Sequence, residues 1–332
     1  MTTVSDGLFQ YGGSPVATAG PFPRTSIGGR AWFVDGTNGS DGYTGKTPRR
    51  PFATIQAAVD SAVAGDTIYV FPMAMVAGAS DPGSYEENVV IPATTENLTL
   101  IGVNYGRTQG GLPQLKVGAT TTQALLTIQA AGCHIVNMGF NGVGATGGGI
   151  LLDDDGSTKS AFGTTIESCH FKNCKGTTAT NAATGGAIQW SANGGAWQVL
   201  IKGNRFYKNV GDVVLLGTGV SVPQDVVIED NLFSGPAASV DCNLYLMGGS
   251  GMTGLAIRNN TFAELPAVGS GTNVRYIKAT GCGGVMDGNR FACTGLTFNA
   301  TTGTGALIPA TLFMAANYQE KATSGSGEIV RA

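Results

Sequence analysis

Charged side chains are scarce in this sequence. Only 12% of the 332 residues are Asp, Glu, Lys or Arg, the formal net charge is −3, and there are two histidines. A protein that binds nucleic acid through its phosphates needs clustered Lys and Arg. The composition therefore argues against nucleic acid as a partner.

Long apolar runs are lacking as well. No stretch of about eighteen consecutive apolar residues occurs, so the sequence predicts no membrane insertion. The opening residues, MTTVSDGLFQYGG, do not have the basic-then-apolar pattern of a secretory signal. We therefore expect a protein that is made in a cytoplasm and kept there until something releases it.

The cysteines show no metal-binding or redox spacing. None of the six forms a CxxC pair: Cys133, Cys169, Cys174, Cys242, Cys282 and Cys293. Free cysteine is among the most buried residue types. We expect buried free thiols, with a disulfide or a metal role as the alternative.

One short phrase is present six times between residues 131 and 293. Aligned on their last residue, the copies are IVNMGF, IESCHF, IKGNRF, IEDNLF, IRNNTF and MDGNRF, ending at Phe140, Phe171, Phe206, Phe233, Phe262 and Phe291. These phenylalanines are 27 to 35 residues apart. An apolar phrase repeated at such a period is typical of a solenoid.

The phrase also indicates the kind of solenoid. Each copy opens with a short apolar run rich in branched residues, which suits a buried parallel strand. The phenylalanine follows five residues after the isoleucine, so the chain must bend between them. We assign the bend to asparagines two residues before the phenylalanine, which tolerate left-handed backbone angles: Asn204, Asn231, Asn260 and Asn289. Stacked coils would place Phe on Phe and Asn on Asn, which predicts an all-β fold, a single-stranded parallel β-helix.

A charged position accompanies the phrase. Four residues before the phenylalanine, successive copies carry Glu167, Lys202, Glu229, Arg258 and Asp287. On neighbouring parallel strands these side chains share one outward face, where opposite charges attract. We interpret this row as structural, with a row of catalytic charges as the alternative.

The rest of the chain divides around the repeat. Residues 1–30 are rich in Gly, Ser, Thr and Pro, with aromatics spaced too irregularly for a regular element, and we predict an extended N-terminal arm. It is either a loose tail or a segment that binds a neighbouring protein. Residues 31–66 would form an N-terminal cap with an amphipathic helix at residues 54–64. The β-helix would span residues 67–300, and residues 301–332 would be a C-terminal cap and tail.

Part of the sequence resembles a known group. The run VDGTNGSDGYTG, then PFATIQAAVDSAVAGDTIYV, then GSYEENVVI is similar to the opening of pectin-lyase-like right-handed β-helix proteins. That group includes polysaccharide lyases and many bacteriophage tailspike, fibre and virion-surface proteins. The resemblance covers residues 31–103 by motif and residues 131–293 by repeat. It implies a right-handed helix, and the Gly- and Thr-rich character is closer to the phage members than to the secreted enzymes.

Candidate site residues are few. The acidic run Asp153, Asp154 and Asp155 is a weak candidate for a metal site, although adjacent residues on a turn point in different directions. Further acids and both histidines have no partner that the sequence assigns: Asp212, Asp225, Asp230, His134 and His170. Three aromatics are weak candidates for stacking on sugar rings, Trp190, Trp197 and Tyr207, with packing against the coil as the alternative. We expect no cofactor.

These observations lead to three functional hypotheses. The first is a non-enzymatic structural protein of a phage virion, a capsid decoration, fibre or spike component that is homotrimeric by analogy and contacts other virion proteins through its arm. The second is a polysaccharide depolymerase with lyase or hydrolase chemistry. The third is a module that binds host glycans.

Overall fold

The computed structural model describes residues 2–3, 8–11, 14–17, 29–74, 83–103, 111–156, 160–178, 181–191, 195–216, 222–234, 242–247, 251–263, 275–292, 296, 298–299, 301, 306–319 and 327–329. Nearly all regular structure is β-strand. The exceptions are the helix α1 (Ile55–Ser61) and a single 3-10 turn at Ala182–Thr184. Within the described residues, no helix combines the length and the apolar character that a membrane crossing requires.

The strands are short and evenly distributed along the chain. The first half contains β1 (Thr2–Thr3), β2 (Leu8–Tyr11), β3 (Ser14–Ala17), β4 (Ala31–Val34), β5 (Thr67–Val70), β6 (Ser84–Glu86), β7 (Val89–Ile91), β8 (Thr99–Gly102), β9 (Gln114–Lys116), β10 (Leu126–Ile128), β11 (His134–Val136), β12 (Gly139–Asn141), β13 (Ile150–Leu152), β14 (Thr165–Glu167) and β15 (His170–Lys172). The second half contains β16 (Ile188–Trp190), β17 (Leu200–Lys202), β18 (Arg205–Tyr207), β19 (Val213–Leu215), β20 (Val227–Glu229), β21 (Leu232–Ser234), β22 (Cys242–Leu246), β23 (Met252–Arg258), β24 (Thr261–Phe262), β25 (Arg275–Ala279), β26 (Cys282–Asp287), β27 (Arg290–Phe291), β28 (Phe298–Asn299), β29 (Ala306–Leu307), β30 (Leu312–Ala315), β31 (Tyr318–Gln319) and β32 (Gly327–Glu328).

From β5 to β28, successive strands belong in turn to three sheets, which are named sheets I, II and III. Sheet I has ten strands, in the order β30-β26-β23-β20-β17-β14-β11-β8-β5-β4. Sheet II also has ten, β32-β31-β27-β24-β21-β18-β15-β12-β9-β6, and sheet III has nine, β28-β29-β25-β22-β19-β16-β13-β10-β7. Neighbours within each sheet come from successive coils and pair in parallel, apart from the antiparallel pair β31 and β32. The fold is therefore the predicted right-handed parallel β-helix.

Equivalent residues stack along the core. In sheet I an aliphatic column runs through Ile68, Leu100, Ile135, Ile166, Ile201, Ile228, Ile257 and Met286, all buried. In sheet II the rings of Phe140, Phe171, Phe206, Phe233, Phe262 and Phe291 lie over one another, with centroids 4.6 to 5.1 Å apart. Both columns confirm the predicted register.

The predicted asparagine ladder is also present, between sheets I and II. The Asn260 side-chain oxygen accepts the backbone N–H of Asn231 at 3.0 Å and the Asn231 amide at 3.0 Å. The Asn260 amide donates to the Ile228 carbonyl at 2.9 Å and to Asn289 at 3.0 Å. The same pattern joins Asn204 to Asn231 and Asn289 to Asn317. Each buried amide thus satisfies backbone groups that would otherwise lie unpaired in the core.

The ladder asparagines do not supply the left-handed bend, so that part of the prediction is wrong. The positive φ angles occur one residue earlier, at Ser168, Gly203, Asp230, Asn259 and Gly288. A ladder asparagine must point its side chain inward toward the next coil, and the residue before it turns the chain. The bend position is exposed or half-buried, which explains why its identity varies.

The N-terminal cap contains the predicted helix, which is shorter than residues 54–64 and ends at Ser61. Thr54 caps helix α1 and accepts the Ala57 N–H, and the Glu87 carboxylate accepts the Ile55 and Gln56 N–H groups. Strand β4 pairs in parallel with β5, so residues 31–34 already form the first strand of sheet I. The stack therefore starts earlier than residue 67.

The described part of the N-terminal arm is not simply extended. Strand β2 pairs with β1 and with β3, and both pairings are antiparallel. The expectation that residues 1–30 contain no regular element was wrong, because alternating short runs can pair locally even where aromatics are irregularly spaced.

The solenoid continues beyond residue 300, which corrects the predicted boundary. Strand β30 pairs with β26, and β31 pairs with β27, so another coil reaches residue 319. The repeat is hidden there because Gln319 occupies the position that pairs with Phe291. Asn317 nevertheless keeps its place in the ladder.

The described cysteines are buried free thiols, as predicted. Burial raises the pKa of the Cys133, Cys169 and Cys174 thiols to about 12, so these thiols stay protonated and unreactive at neutral pH. Cys293 lies outside the described residues.

The ladder predicts a large difference between two adjacent asparagines. Asn260→Ala would leave the Asn231 N–H and the Ile228 carbonyl without partners inside the core, so we expect a loss of about 3 kcal/mol or more. Asn259→Gly is the matched control, because Asn259 is exposed and has a φ of 52°, which glycine adopts freely. Denaturant midpoints measure both changes. Equal midpoints for the two variants would show that the ladder contributes nothing.

Candidate functional site

One concave surface formed by the described residues is a groove on the outer face of sheet III. Its floor is a row of outward side chains on neighbouring strands: Val90, Thr127, Leu151 and Gln189. Inward residues between them, such as Ile128 and Leu152, belong to the core. Because side chains alternate along each strand, this outward row does not pack into the core.

Polar side chains form both walls of the groove. One wall follows the strand ends, at Gln129, Asp153, Ser191 and Leu216. The other comes from the preceding turns, at Thr122, Gln123, Ala124, Thr146, Gly147, Thr177 and Thr184. The cavity has a volume of about 660 Å³. Nine of the fifteen lining residues are Thr, Ser or Gln, most of the exposed lining surface is apolar, and Asp153 is the one ionisable side chain among these residues.

Gln189 is held rigidly in the floor. Its side-chain oxygen accepts the Gly186 N–H at 3.0 Å, and its amide donates to the Gly147 carbonyl at 2.7 Å. Gly148 makes room for this arrangement, because a Cβ there would lie 2.6 Å from the Gln189 oxygen and its φ is +83°. A fixed amide is preorganised and loses little entropy when a ligand binds beside it.

The structure separates the three consecutive acids. Asp153 lines the groove, Asp154 accepts the Gly156 N–H at 2.7 Å, and Asp155 is exposed. Among the described residues no three His, Cys, Asp or Glu side chains are close enough to hold a metal ion. Asp153 and Asp155, the candidate metal ligands, therefore lie in different surroundings, because successive residues on this turn diverge.

Trp190 is not a sugar-stacking residue. It occupies the inward position of β16, between Leu152 and Leu215, and its exposed fraction is 0%. Its indole N–H donates to the Ala196 carbonyl at 3.1 Å. The alternation Ile188, Gln189, Trp190 contained this information, since the first and third residues of such a strand face the same side.

The other two aromatic candidates lie on different faces. Trp197 is 45% exposed, at the corner between sheets III and I, where its ring meets the exposed Phe162 edge-on at 6.4 Å. Tyr207 is half-buried on sheet II, with the Lys208 ammonium 5.2 Å from its ring centre. The three predicted residues therefore do not form one site.

The remaining acids do not form a catalytic pair. Asp212 lies at the start of β19 in sheet III, whereas Asp225 and Asp230 flank β20 in sheet I. Asp212 is buried and accepts hydrogen bonds from the amides of Asn209 at 2.9 Å and Asn243 at 2.6 Å. Burial raises the pKa of its carboxyl to about 7, against the opposing effect of these two bonds.

One histidine has a partner that sequence reasoning missed. The His134 Nε2 atom is 3.3 Å from a Glu167 carboxylate oxygen on the neighbouring strand. Only 5% of the His134 side chain is exposed, so a substrate cannot reach it. His170 is also buried, on the outer face of sheet II. Aligning the repeats pairs Glu167 with Val136 and His134 with Thr165, so this contact is a diagonal one between adjacent strands that the alignment does not assign.

The groove itself had no sequence signal. Its lining comes from several segments of the chain, and most of these residues are threonines, glutamines and alanines that stand in unremarkable turns. Their convergence depends on coil stacking, which places turns from different repeats side by side.

Comparisons with known proteins agree on the fold. No protein-family model matches the sequence, and no curated protein matches it. Among solved structures, a GH136 lacto-N-biosidase from Eubacterium ramulus is similar with a TM-score of 0.54 and 10% identity, over 87% of this chain and 56% of that one. A rhamnogalacturonan lyase is similar with a TM-score of 0.45 and 14% identity, over 82% and 76% of the two chains. The pectate lyase Pel9A gives 0.43 and 10%, over 87% and 79%.

These similarities establish the fold alone. The likeness to the lacto-N-biosidase supports a shared fold, and the sheet order of this chain identifies that fold as a parallel β-helix. It spans a little over half the length of the lacto-N-biosidase.

The buried Asp212 predicts a pH-dependent stability. Its folded-state pKa is about 7 and its ordinary value is 3.8, so the fold favours the protonated form. This contribution is complete below about pH 4 and is lost as the pH rises through about 7, by on the order of 2 to 4 kcal/mol. Asp212→Asn should flatten that profile. It should also lower stability at pH 5 by about 1 to 3 kcal/mol, because Asn209 and Asn243 donate to different oxygens of Asp212 and the new NH2 group cannot accept either bond. Unfolding midpoints of both proteins between about pH 4 and 8 measure the effect, and parallel profiles would contradict it.

Proposed function

We propose that this chain is a non-enzymatic scaffold that binds an uncharged segment of a glycan in the sheet III groove. The observation that carries the proposal is the groove lining. Amide and hydroxyl groups alternate there with the apolar surfaces of Val90 and Leu151, which suits the hydroxyls and C–H faces of a sugar.

The arrangement of acids supports binding rather than turnover. Glycoside hydrolysis in most families uses two carboxyl groups on either side of the bond, about 5 to 9.5 Å apart. The groove lining has Asp153 alone, and Asp212 is buried with both oxygens engaged. We therefore assign Asp153 to accepting hydrogen bonds from ligand hydroxyls.

The wider role that we propose is a structural component of a virion surface, a decoration, fibre or spike. Support comes from the resemblance of residues 31–103 to β-helix proteins that include phage members, and from a core of stacked rings and amide ladders that suits a stiff projection. A homotrimer remains part of that proposal by analogy. Labelling of purified virions with antibody against this chain tests the proposal. Absence of label on virions from cells that make the chain would refute it.

The groove proposal predicts the effect of filling the floor. Thr127→Arg places a long side chain among Val90, Leu151 and Asp153 without touching the core, and we expect at least a tenfold loss of affinity, about 1.4 kcal/mol, for any glycan that binds. Thr261→Arg is the matched control, because Thr261 is half-buried on a strand of sheet II. A glycan array followed by titration calorimetry provides the measurement.

The same samples distinguish binding from catalysis. Capsular and pectin-type polysaccharides incubated with the protein should yield neither new reducing ends nor the absorbance of unsaturated uronates. Product formation that Asp153→Asn abolishes would replace the proposal with the depolymerase hypothesis. Glycan binding that Thr127→Arg leaves unchanged would remove the groove from consideration.

A further inference from the structure

Two rows of side chains run along the outer face of sheet I. The apolar row lies on successive strands and consists of Leu200, Val227, Ala256, Val285 and Phe313. The charged row lies two residues further along each strand and consists of Lys202, Glu229, Arg258 and Asp287. Both rows lie on a different face from the sheet III groove.

The apolar row is exposed only in the later coils. In the earlier coils the same position is polar and buried, at Thr99, His134 and Thr165. From Leu200 onward it is apolar and partly accessible, apart from the small Ala256, and Phe313 is 75% exposed. A contiguous apolar surface of this kind on a folded domain commonly marks a protein contact.

The charged row alternates in sign, as the sequence predicted. The Lys202 ammonium is 2.8 Å from a Glu229 oxygen, and the Arg258 guanidinium is 3.2 Å from an Asp287 oxygen. The order along the stack is therefore positive, negative, positive, negative. Reversing such a row gives the opposite order, so two antiparallel copies match at every position.

We propose that this face binds a second copy of the chain, with the two β-helices antiparallel and a two-fold axis between the Glu229 and Arg258 coils. Lys202 then faces Asp287 of the second copy, and Glu229 faces its Arg258. In the apolar row Val227 faces Ala256. A parallel pair that brought the two charged rows together would instead place every charge opposite its own kind.

The charged row selects this register. A shift of the axis by one coil toward the N-terminus would also match charges, with Glu167 facing Arg258. Glu167 is already beside His134, however, and Asp287 would then have no charge opposite it. The axis between Glu229 and Arg258 lies at the middle of the four coils from Lys202 to Asp287, and it places Phe313 opposite the coil of Thr165.

The expected dimer is weak. Five coils about 4.8 Å apart span about 20 Å, and the paired strand segments are about 10 to 15 Å long, so the face buries roughly 400 to 600 Å² in total, below the usual size of specific interfaces. We therefore expect a dimer that forms only at high micromolar concentration, as followed by sedimentation velocity over a concentration series.

Charge reversal tests the contact and its direction together. Lys202→Glu alone and Asp287→Lys alone each place like charges opposite each other, so each should weaken dimerisation by at least about tenfold. An equimolar mixture of the two variants should form a heterodimer, because the carboxylate introduced at position 202 of one chain then faces the ammonium introduced at position 287 of the other. Lys116→Glu is the control, since Lys116 forms a comparable surface pair with Glu86 on sheet II. This variant should associate like the wild type.

Recovery on mixing also shows that both variants are folded, which separates the contact from stability. A wild-type protein that stays monomeric up to millimolar concentration would overturn the proposal. So would a trimer that neither substitution affects, or a mixture that fails to associate when the wild type does.

Discussion

Buried hydrogen bonding between equivalent asparagines is the constraint on which the C-terminal half of this solenoid depends. A coil that turns sharply leaves backbone donors and carbonyls at the corner with no strand partner. The Asn260 side chain satisfies both kinds of group in the preceding coil, because it accepts the Asn231 N–H and donates to the Ile228 carbonyl, and it also donates to Asn289 in the following coil. Because the amide geometry accepts one spacing only, it fixes the height of each coil over the next, and the phenylalanine rings then stack at van der Waals distance.

The predictable part of the structure is the part that repeats. Ile201 over Ile228 and Phe206 over Phe233 followed from identical phrases at similar spacing, because a core that buries like residues leaves the same pattern in every copy. The repeated phrase does not predict the last coil, because Gln319 replaces the phenylalanine there. Asn317 nevertheless keeps the hydrogen bonds of the ladder. The left-handed residue was placed one position late because the conspicuous asparagine has the inward role. The bend can be made by Ser168, Gly203 or Asp230.

The candidate site could not be predicted from the sequence because its residues occupy outward positions that the repeated phrase does not constrain. Outward residues on sheet III are free to vary, and Thr127, Leu151 and Gln189 share no pattern. Trp190 is an aromatic in a long coil, which favours a sugar-stacking role, yet the two-residue period of its strand directs it into the core. Only the stacked coils show that Thr127 lies in the same groove as Asp153 and several glutamines.

The sign order of the charged row has a consequence for how such a protein can change length. Four charges that alternate are self-complementary on reversal, whereas an odd number of alternating charges reversed sets each one against its own sign. Duplicating or deleting one coil between Lys202 and Asp287 would therefore convert a matching surface into a repelling one, while a change of two coils would preserve it. If this face binds a second copy, the number of coils that carry the alternating charges must stay even. The solenoid would then be expected to lengthen by two coils at a time.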